Sequence, residues 1–324
     1  MKPLLLSIPL VFLLQGIQGA SAQTYPSRAI TMVVPFSAGG PVDVVARVLS
    51  DPMRKSLGQA VLVDYTTGAG GSIGVGRVAH AAPDGYTVSI GHWGTHVVNG
   101  AVYSLQYDLL RDLEPVAMIG ANPMLIVGKV AIPATNLKEL VAWIKANPGG
   151  VNVGTAGPGS GTHISGVYFQ NVIGTTLQFI PYKGSGPALQ DLIGGQIDMM
   201  VDQMSNSLPH LRGGKIRAYA VTAKARSGAA PEIPTVDEAG LPGFYISIWY
   251  GIWVPRGTPK EAVAKLNAAV AYALADATVR LRLADLGLEI VPPAQQTPEA
   301  LGAHHKAEIE KWWPIIKAAG VRID

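Results

Sequence analysis

The chain has 324 residues, 48% of them hydrophobic and only 15% charged, with a formal net charge of +3 and no cysteine. So apolar a composition builds a sizeable core and does not describe a disordered chain. Lacking cysteine, it has no disulfides, thiolate metal sites or cysteine nucleophiles; its scattered positive charge lacks the basic runs and interleaved aromatics of nucleic-acid binders.

In chain order, Lys2, the apolar run Leu4 to Leu14 and Ala20-Ser-Ala22 before Gln23 have the three parts of a secretory signal. Residues 1–22 are therefore expected to be removed after Ala22, giving an exported mature chain; its roughly 300 residues suggest about two domains. No later segment is long and apolar enough to span a bilayer.

The apolar run Ile30–Val34 ends at Pro35-Phe-Ser-Ala-Gly-Gly40, and a helical pattern over Val42–Leu57 starts at once. A helix start carries unpaired N–H donors and a partial positive charge, so this is a ready anion site. The glycines let backbone close on a ligand. Asp43 is a first-turn acid and Arg47 its i,i+4 partner, while Pro52 is expected to kink the helix or start a second piece. The device recurs after Val61–Val63, where Gly68-Ala-Gly-Gly-Ser-Ile-Gly74 precedes a helix over Ile73–Ala82. It recurs again after Val151–Val153, where Gly157-Pro-Gly-Ser-Gly-Thr-His163 leads into His163–Ile173, with Ser160 or Thr162 as N-cap.

Further strands are expected at Thr87–Gly91, Ala117–Ile119, Leu125–Val127, Leu177–Ile180, Ile197–Val201, Ala218–Val221 and Ile246–Val254. Further helices are expected at Leu137–Asn147, Pro187–Ile193 and Lys260–Ala275, the last within an almost wholly helical tail that runs from Lys260 to Leu286 and again from Thr297 to Ala319. Strands alternating with helices imply α/β layers with largely parallel sheets. The tail is expected to pack back on the first sheet. That gives one lobe from residues 23–121 plus 247–324 and a second from 122–246, with crossovers near Gly120–Pro123 and Gly243–Ser247.

Several local strings carry bland readings. Gly70-Gly-Ser-Ile-Gly74 matches the hydrolase elbow G-x-S-x-G, but a nucleophilic Ser72 needs an oriented histidine base that the string does not supply. Gly74-Val-Gly-Arg-Val-Ala79 lies inside a helix instead of at a strand-to-helix turn, so it does not point to dinucleotide binding. His92 and His96 would chelate a metal only on a helix, and Gly91 and Gly94 argue against one. No metal is expected; His96 reads as a hydrogen-bonding loop residue and His304 and His305 as surface residues. Lys183 reads equally as an anion contact or a solvated rim residue. Trp249 and Trp253 read as core, and Trp93 hints weakly at a flat ligand body.

These and further motifs, taken in order, resemble the Bug family, the extracytoplasmic solute receptors of tripartite tricarboxylate transporters. The resemblance rests on Tyr25-Pro-Ser-Arg-Ala-Ile30, Pro35-Phe to Gly40 with Asp43 and Arg47, Gly68 to Gly74, Pro83-Asp-Gly-Tyr86, Gly94-Thr-His96 with Asn99 and Gly157 to His163. It continues through Tyr182-Lys-Gly184, Gly195-Gln-Ile-Asp198, Gly214-Lys-Ile-Arg-Ala218, Glu238 to Gly243 and Trp249-Tyr-Gly251. Ser37-Ala38, His92-Trp93 and Asp202-Gln203 depart from it. The resemblance implies an α/β, two-lobe periplasmic-binding-protein fold with a hinge and a central ligand cleft. It implies that Phe36, Ser37, Ala38, Gly39 and Gly40 grip a carboxylate from the first lobe. Ser160, Gly161, Thr162 and His163 would face them, Gly70, Gly71, Ser72, Thr95 and His96 would complete the first-lobe wall, and Asp202 would line the far end. The expected function is capture of a small organic carboxylate for a membrane transporter, by a monomer without cofactor or catalytic role. A carboxylate sensor and an exported serine hydrolase using Ser72 are the alternatives.

Overall fold

The computed structural model describes residues 25–318 and 320–322; the expected signal segment lies outside them. The first half of the chain begins with strand β1 (Ile30–Val34), helix α1 (Pro41–Leu57), β2 (Val61–Tyr65) and, after a 3₁₀ turn at Ala69–Gly71, α2 (Ser72–Ala79). β3 (Thr87–His92) runs into a π-helical turn, Gly94–Val98, and the short α3 (Asn99–Val102). The long β4 (Leu113–Lys129) leads to α4 (Leu137–Ala146), β5 (Asn152–Thr155), α5 (Gly161–Ile173), β6 (Gln178–Pro181) and α6 (Ser185–Ile193). Next come β7 (Met199–Gln203), α7 (Met204–Arg212) and β8 (Ile216–Val221). The chain closes with β9 (Ser247–Pro255), α8 (Lys260–Ala275), α9 (Ala277–Asp285), β10 (Glu289–Ile290) and α10 (Pro298–Ala318).

The strands form one continuous path, β2-β1-β3-β9-β4-β7-β5-β6, with β8 and β10 also pairing β4. Parallel pairing is confined to the two flanks, β2-β1-β3 and β7-β5-β6, and the centre is antiparallel. This corrects the expectation of largely parallel sheets. β4 carries the chain out of the first half and β9 carries it back, so the two long neighbours must run in opposite directions. For the same reason the separate strands expected at Ala117–Ile119 and Leu125–Val127 are one. Its first part pairs β9 as far as Pro123↔Ser247, and its last residues pair β7 and β8.

Helix ends follow local chemistry. Gly58 closes α1 in the left-handed region at φ 69°, where a side chain would be strained. Pro52 does not start a second piece, since α1 is continuous through it. The expected helix Lys260–Ala275 is α8, and the helical tail restarts as α9 after Asp276, whose carboxylate accepts the N–H groups of Thr278 and Val279 at 2.9 and 3.1 Å. β7 begins two residues later than expected, just after Asp198, whose carboxylate binds the Asn152 N–H and Lys129, both at 2.7 Å. One large core underlies both flanks and includes Met32, Leu49, Trp93, Phe169, Tyr250 and Trp253, all at most 1% exposed. Among the described residues no single helix is long and apolar enough to cross a membrane.

Candidate functional site

Loops leaving the C-terminal ends of β1, β2 and β3 meet loops leaving β5, β6 and β7. In open α/β sheets that is where ligands bind. Between them lies an enclosed cavity of about 10 Å³ lined by Phe36, Pro41, Val42, His92, Ala156, Ser160, Gly161, Thr162, Ser185 and Gln203. A far larger depression, about 930 Å³, opens between α4 and β8 but contains none of these strand-end loops. The first turns of α1, α5 and α6 all contribute lining residues, so three helix N-termini converge on one small space. Their unpaired N–H groups and partial positive charges favour an anion there. Among the described residues no Lys or Arg lines it.

Each loop is held by its own sequence. The Gly39 N–H donates to Asp43 Oδ2 at 2.7 Å, while Arg47 Nε and the Tyr65 hydroxyl bind Oδ1 at 2.8 and 2.7 Å. Asp43 thus orders the loop from within the helix it starts. Ser160 caps α5 by accepting the His163 N–H at 3.3 Å, and its hydroxyl meets that of Thr162 at 3.1 Å. Thr162 in turn accepts the Ala156 N–H at 2.8 Å. Removing the cap in Ser160→Ala should cost about 1 kcal/mol in urea unfolding, and should weaken ligand affinity besides.

The loops of the two flanks touch directly. The Ser37 N–H donates to the Lys183 carbonyl at 3.1 Å, and the Tyr103 hydroxyl donates to that of Pro158. Gly70 sits at φ 59°, where a Cβ would lie 2.7 Å from the Pro158 oxygen. A Cβ on Gly186 would meet the Gly39 carbonyl carbon at 3.0 Å and oxygen at 3.1 Å. Neither approach tolerates a larger residue without parting the loops.

Of the residues expected at the site, Phe36, Ser160, Gly161 and Thr162 line the cavity. Ser37, Ala38, Gly39 and Gly40 form the loop just ahead of the lining residues Pro41 and Val42, with Gly40 and Ser37 packed against Gly186 and Gly184. Gly70 meets the Pro158–Ser160 backbone, Gly71 packs on Thr95 and Phe36, and the Ser72 carbonyl accepts from the Tyr107 hydroxyl at 3.1 Å. His163 accepts the Gly159 N–H at 3.2 Å and lies edge-on to Phe179.

Five expectations need correction. A helical turn does form after His92, because its Nδ1 caps the N–H of Gly94 at 2.9 Å. His96 is no loop wall: it is wholly buried, stacked 3.7 Å from Trp253, with Thr95 Oγ1 against its Nδ1 at 3.0 Å. His305 is not on the surface; it is 2% exposed, and its Nε2 donates to the His96 carbonyl at 2.5 Å. Trp93 is 1% exposed, edge-on to Trp312, and does not line the cavity. Asp202, expected at the pocket's far end, is completely buried behind the lining residues. Lys183 is exposed and contributes its carbonyl.

Sequence reasoning missed Pro41, Val42, Ala156, Ser185 and Gln203 as lining residues, and read His92 only as a failed metal ligand. One signal was available: Lys183-Gly-Ser-Gly-Pro187 is a fourth glycine loop ahead of a helix. His92 stacks on Phe36 at 5.3 Å. Because its Nδ1 accepts backbone N–H bonds, its neutral ring carries the proton on Nε2. The Tyr250 hydroxyl donates to the Gln203 side-chain oxygen.

Burial pushes His92 and His305 down to about 4 and His96 well below the ordinary 6.5. On unfolding each takes up a proton as the pH falls through about 6.5, so the unfolded chain binds more protons and stability is lost from there down to the folded values. Asp202, pushed up to about 6 by burial, works the other way, holding a proton when folded that it releases when unfolded. Three imidazoles outweigh one carboxyl. The melting temperature should therefore fall between about pH 7 and about pH 5, and His305→Gln should flatten that fall.

The family model described as "Tripartite tricarboxylate transporter family receptor" matches residues 45–321. The Bordetella pertussis protein BugT is 37% identical over 305 residues, 94% of this chain and 93% of its own length. The solved periplasmic binding protein BugD superposes with a TM-score of 0.89 at 40% identity, over 92% of this chain and 100% of its own. MatC from Rhodopseudomonas palustris, solved with bound malate, gives 0.87 at 42% identity over 90% and 100%. The fold is that of a periplasmic binding protein of the Bug and TctC type, and the chain belongs to the TctC family of tripartite tricarboxylate transporter receptors.

Proposed function

We propose that the chain is a periplasmic receptor that captures a small organic carboxylate and delivers it to the membrane subunits of a tripartite transporter. The observation that carries this reading is the convergence of the α1, α5 and α6 N-termini on one cavity without a cationic side chain. Such a site holds an anion by main-chain and hydroxyl donors, which suits a carboxylate. The malate seen in MatC is consistent with it. Export after cleavage at Ala22, a monomeric state and a binding role without catalysis belong to the same proposal.

The cavity of about 10 Å³ admits the centre of one water-sized sphere. A multi-carbon acid enters only when the loops part, so capture requires opening and closing. We assign lobe 1 to residues 23–121 plus 247–324 and lobe 2 to 122–246, hinged where β4 and β9 separate. Support comes from the end of β4-β9 pairing at Pro123↔Ser247 and from Thr222, whose hydroxyl accepts the Met124 N–H at 3.0 Å and donates to the Ile246 carbonyl at 2.7 Å. The ligand shifts this equilibrium only by binding the closed form better. Thermal unfolding against a panel of carboxylates and amino acids tests the proposal. A ligand at about a hundred times its Kd should add about 2.7 kcal/mol of stability. A refolded, ligand-stripped protein that no carboxylate stabilises would refute it.

A further inference from the structure

We infer that Asp202, with the polar wall in front of it, makes the far end of the pocket select a hydroxyl or ammonium group over a second carboxylate. This rests on the carboxylate-receptor reading and specifies the class of acid. Asp202 is fully buried at the end of β7. Its Oδ2 accepts from Asn206 Nδ2 and Ser207 Oγ, both at 2.7 Å, and the Ser185 hydroxyl and the Gln203 N–H lie beside the carboxylate. Its Oδ1 is buried without a partner. Ser185 and Gln203, the neighbours of the carboxylate on this side, line the cavity. The acid is therefore one residue behind the wall that a ligand would touch.

Among the described residues no cation offsets it. Facing it are Asn206 and Ser207 from α7, Ser185 from α6 and Tyr250 from β9, with Leu125 of β4 opposite in register. Asp202 stands just ahead of α7, whose positive end is thereby already matched to a negative charge. Burial pushes its carboxyl up to about 6, which leaves it ionised at neutral pH and above. A ligand carboxylate placed at this end would bring a like charge into a dry space, where such repulsion is strong. A hydroxyl or ammonium is favoured instead, because it donates toward the acid; a hydroxyl can also accept from His92 Nε2–H. The ligand's own carboxylate is left to the convergent starts of α1, α5 and α6.

The test uses the full mature chain and isothermal titration with matched acids. Succinate is compared with γ-hydroxybutyrate and γ-aminobutyrate, and adipate with its ω-hydroxy and ω-amino analogues. At about pH 8 the hydroxy or amino member should bind about tenfold more tightly than the diacid of equal length, and Asp202→Asn should erase that preference. A wild-type preference for the diacid, or a preference that survives in Asp202→Asn, overturns the inference. Failure of every acid to bind would instead sink the receptor reading. Should Asp202→Asn not fold, the wild-type chain decides alone. Its diacid affinity should rise at least about fivefold from about pH 8 to about pH 6, as the buried carboxyl takes up a proton, while that of the hydroxy acid stays level. A flat diacid affinity over that range overturns the inference.

Discussion

Gly186→Leu is expected to abolish ligand capture while leaving the ligand-free protein at least as stable as before. Gly186 lies in the first turn of α6, and the three atoms nearest to its missing Cβ belong to Gly39 and Gly40, in the loop after β1. Within its own helix a leucine is no burden, since leucine is a better helix former than glycine by about 0.5–1 kcal/mol. Across the cleft it is a wedge: a Cβ alone stands 3.0 Å from the Gly39 carbonyl carbon, and the rest of the side chain has nowhere to go. Only the closed arrangement is penalised, and the affinity of a receptor that must close falls with the population able to close. A loss of about 100-fold, or about 2.7 kcal/mol, is expected in titration calorimetry, with an unchanged or raised melting temperature without ligand. Affinity kept within about threefold would mean that closure through this contact is not part of capture.

Asp43→Ala should damage both stability and binding. The carboxylate is 4% exposed and gathers the Gly39 N–H, Arg47 and the Tyr65 hydroxyl within 2.8 Å. Alanine leaves the Gly39 N–H and the Tyr65 hydroxyl without their acceptor, at a cost of about 2–3 kcal/mol in urea unfolding. The loop carrying Phe36 loses the tether that holds it against α6, and affinity should drop about 30-fold. Asp43→Asn keeps one oxygen for Gly39 and should fall between the two. If Asp43→Ala loses the stability yet binds as before, the loop's order is a matter of folding alone.

Much of the site was legible because it is made of local devices. An apolar run, a glycine turn and a helix start follow one another within a dozen residues, and their meaning does not depend on distant chain. That is why Ile30–Val34 is found where expected, why Ser160 caps α5, and why Asp43 pairs with Arg47. The loop Lys183-Gly-Ser-Gly-Pro187 carries the same signature, and its helix was expected. Its place at the cavity was not, because only the pairing of β5 with β6 and of β5 with β7 brings the starts of α5 and α6 to the same end of the sheet.

The residues that were misplaced all owe their positions to contacts far along the chain. His305 is buried because α10 packs on the turn after β3, where its ring reaches the carbonyl of His96, 209 positions away. Trp313 does the same for the Val97 carbonyl at 2.8 Å. Nothing in the local pattern around His304-His305 distinguishes an inward ring from an outward one. Asp202 and Gln203 are neighbours on a strand, whose alternating side chains face opposite ways, and which of the two meets the cavity depends on how β7 registers against β4.

The sequence by itself thus determined the elements, the anion-seeking helix starts and the family, since each is written in short runs of residues or in their order. The tertiary structure alone decided the antiparallel centre, the closeness of the two sets of loops, and the burial of an ionisable group behind the pocket wall. Those depend on which distant segments lie side by side, and a charge's energy is set by what surrounds it rather than by its place in the chain.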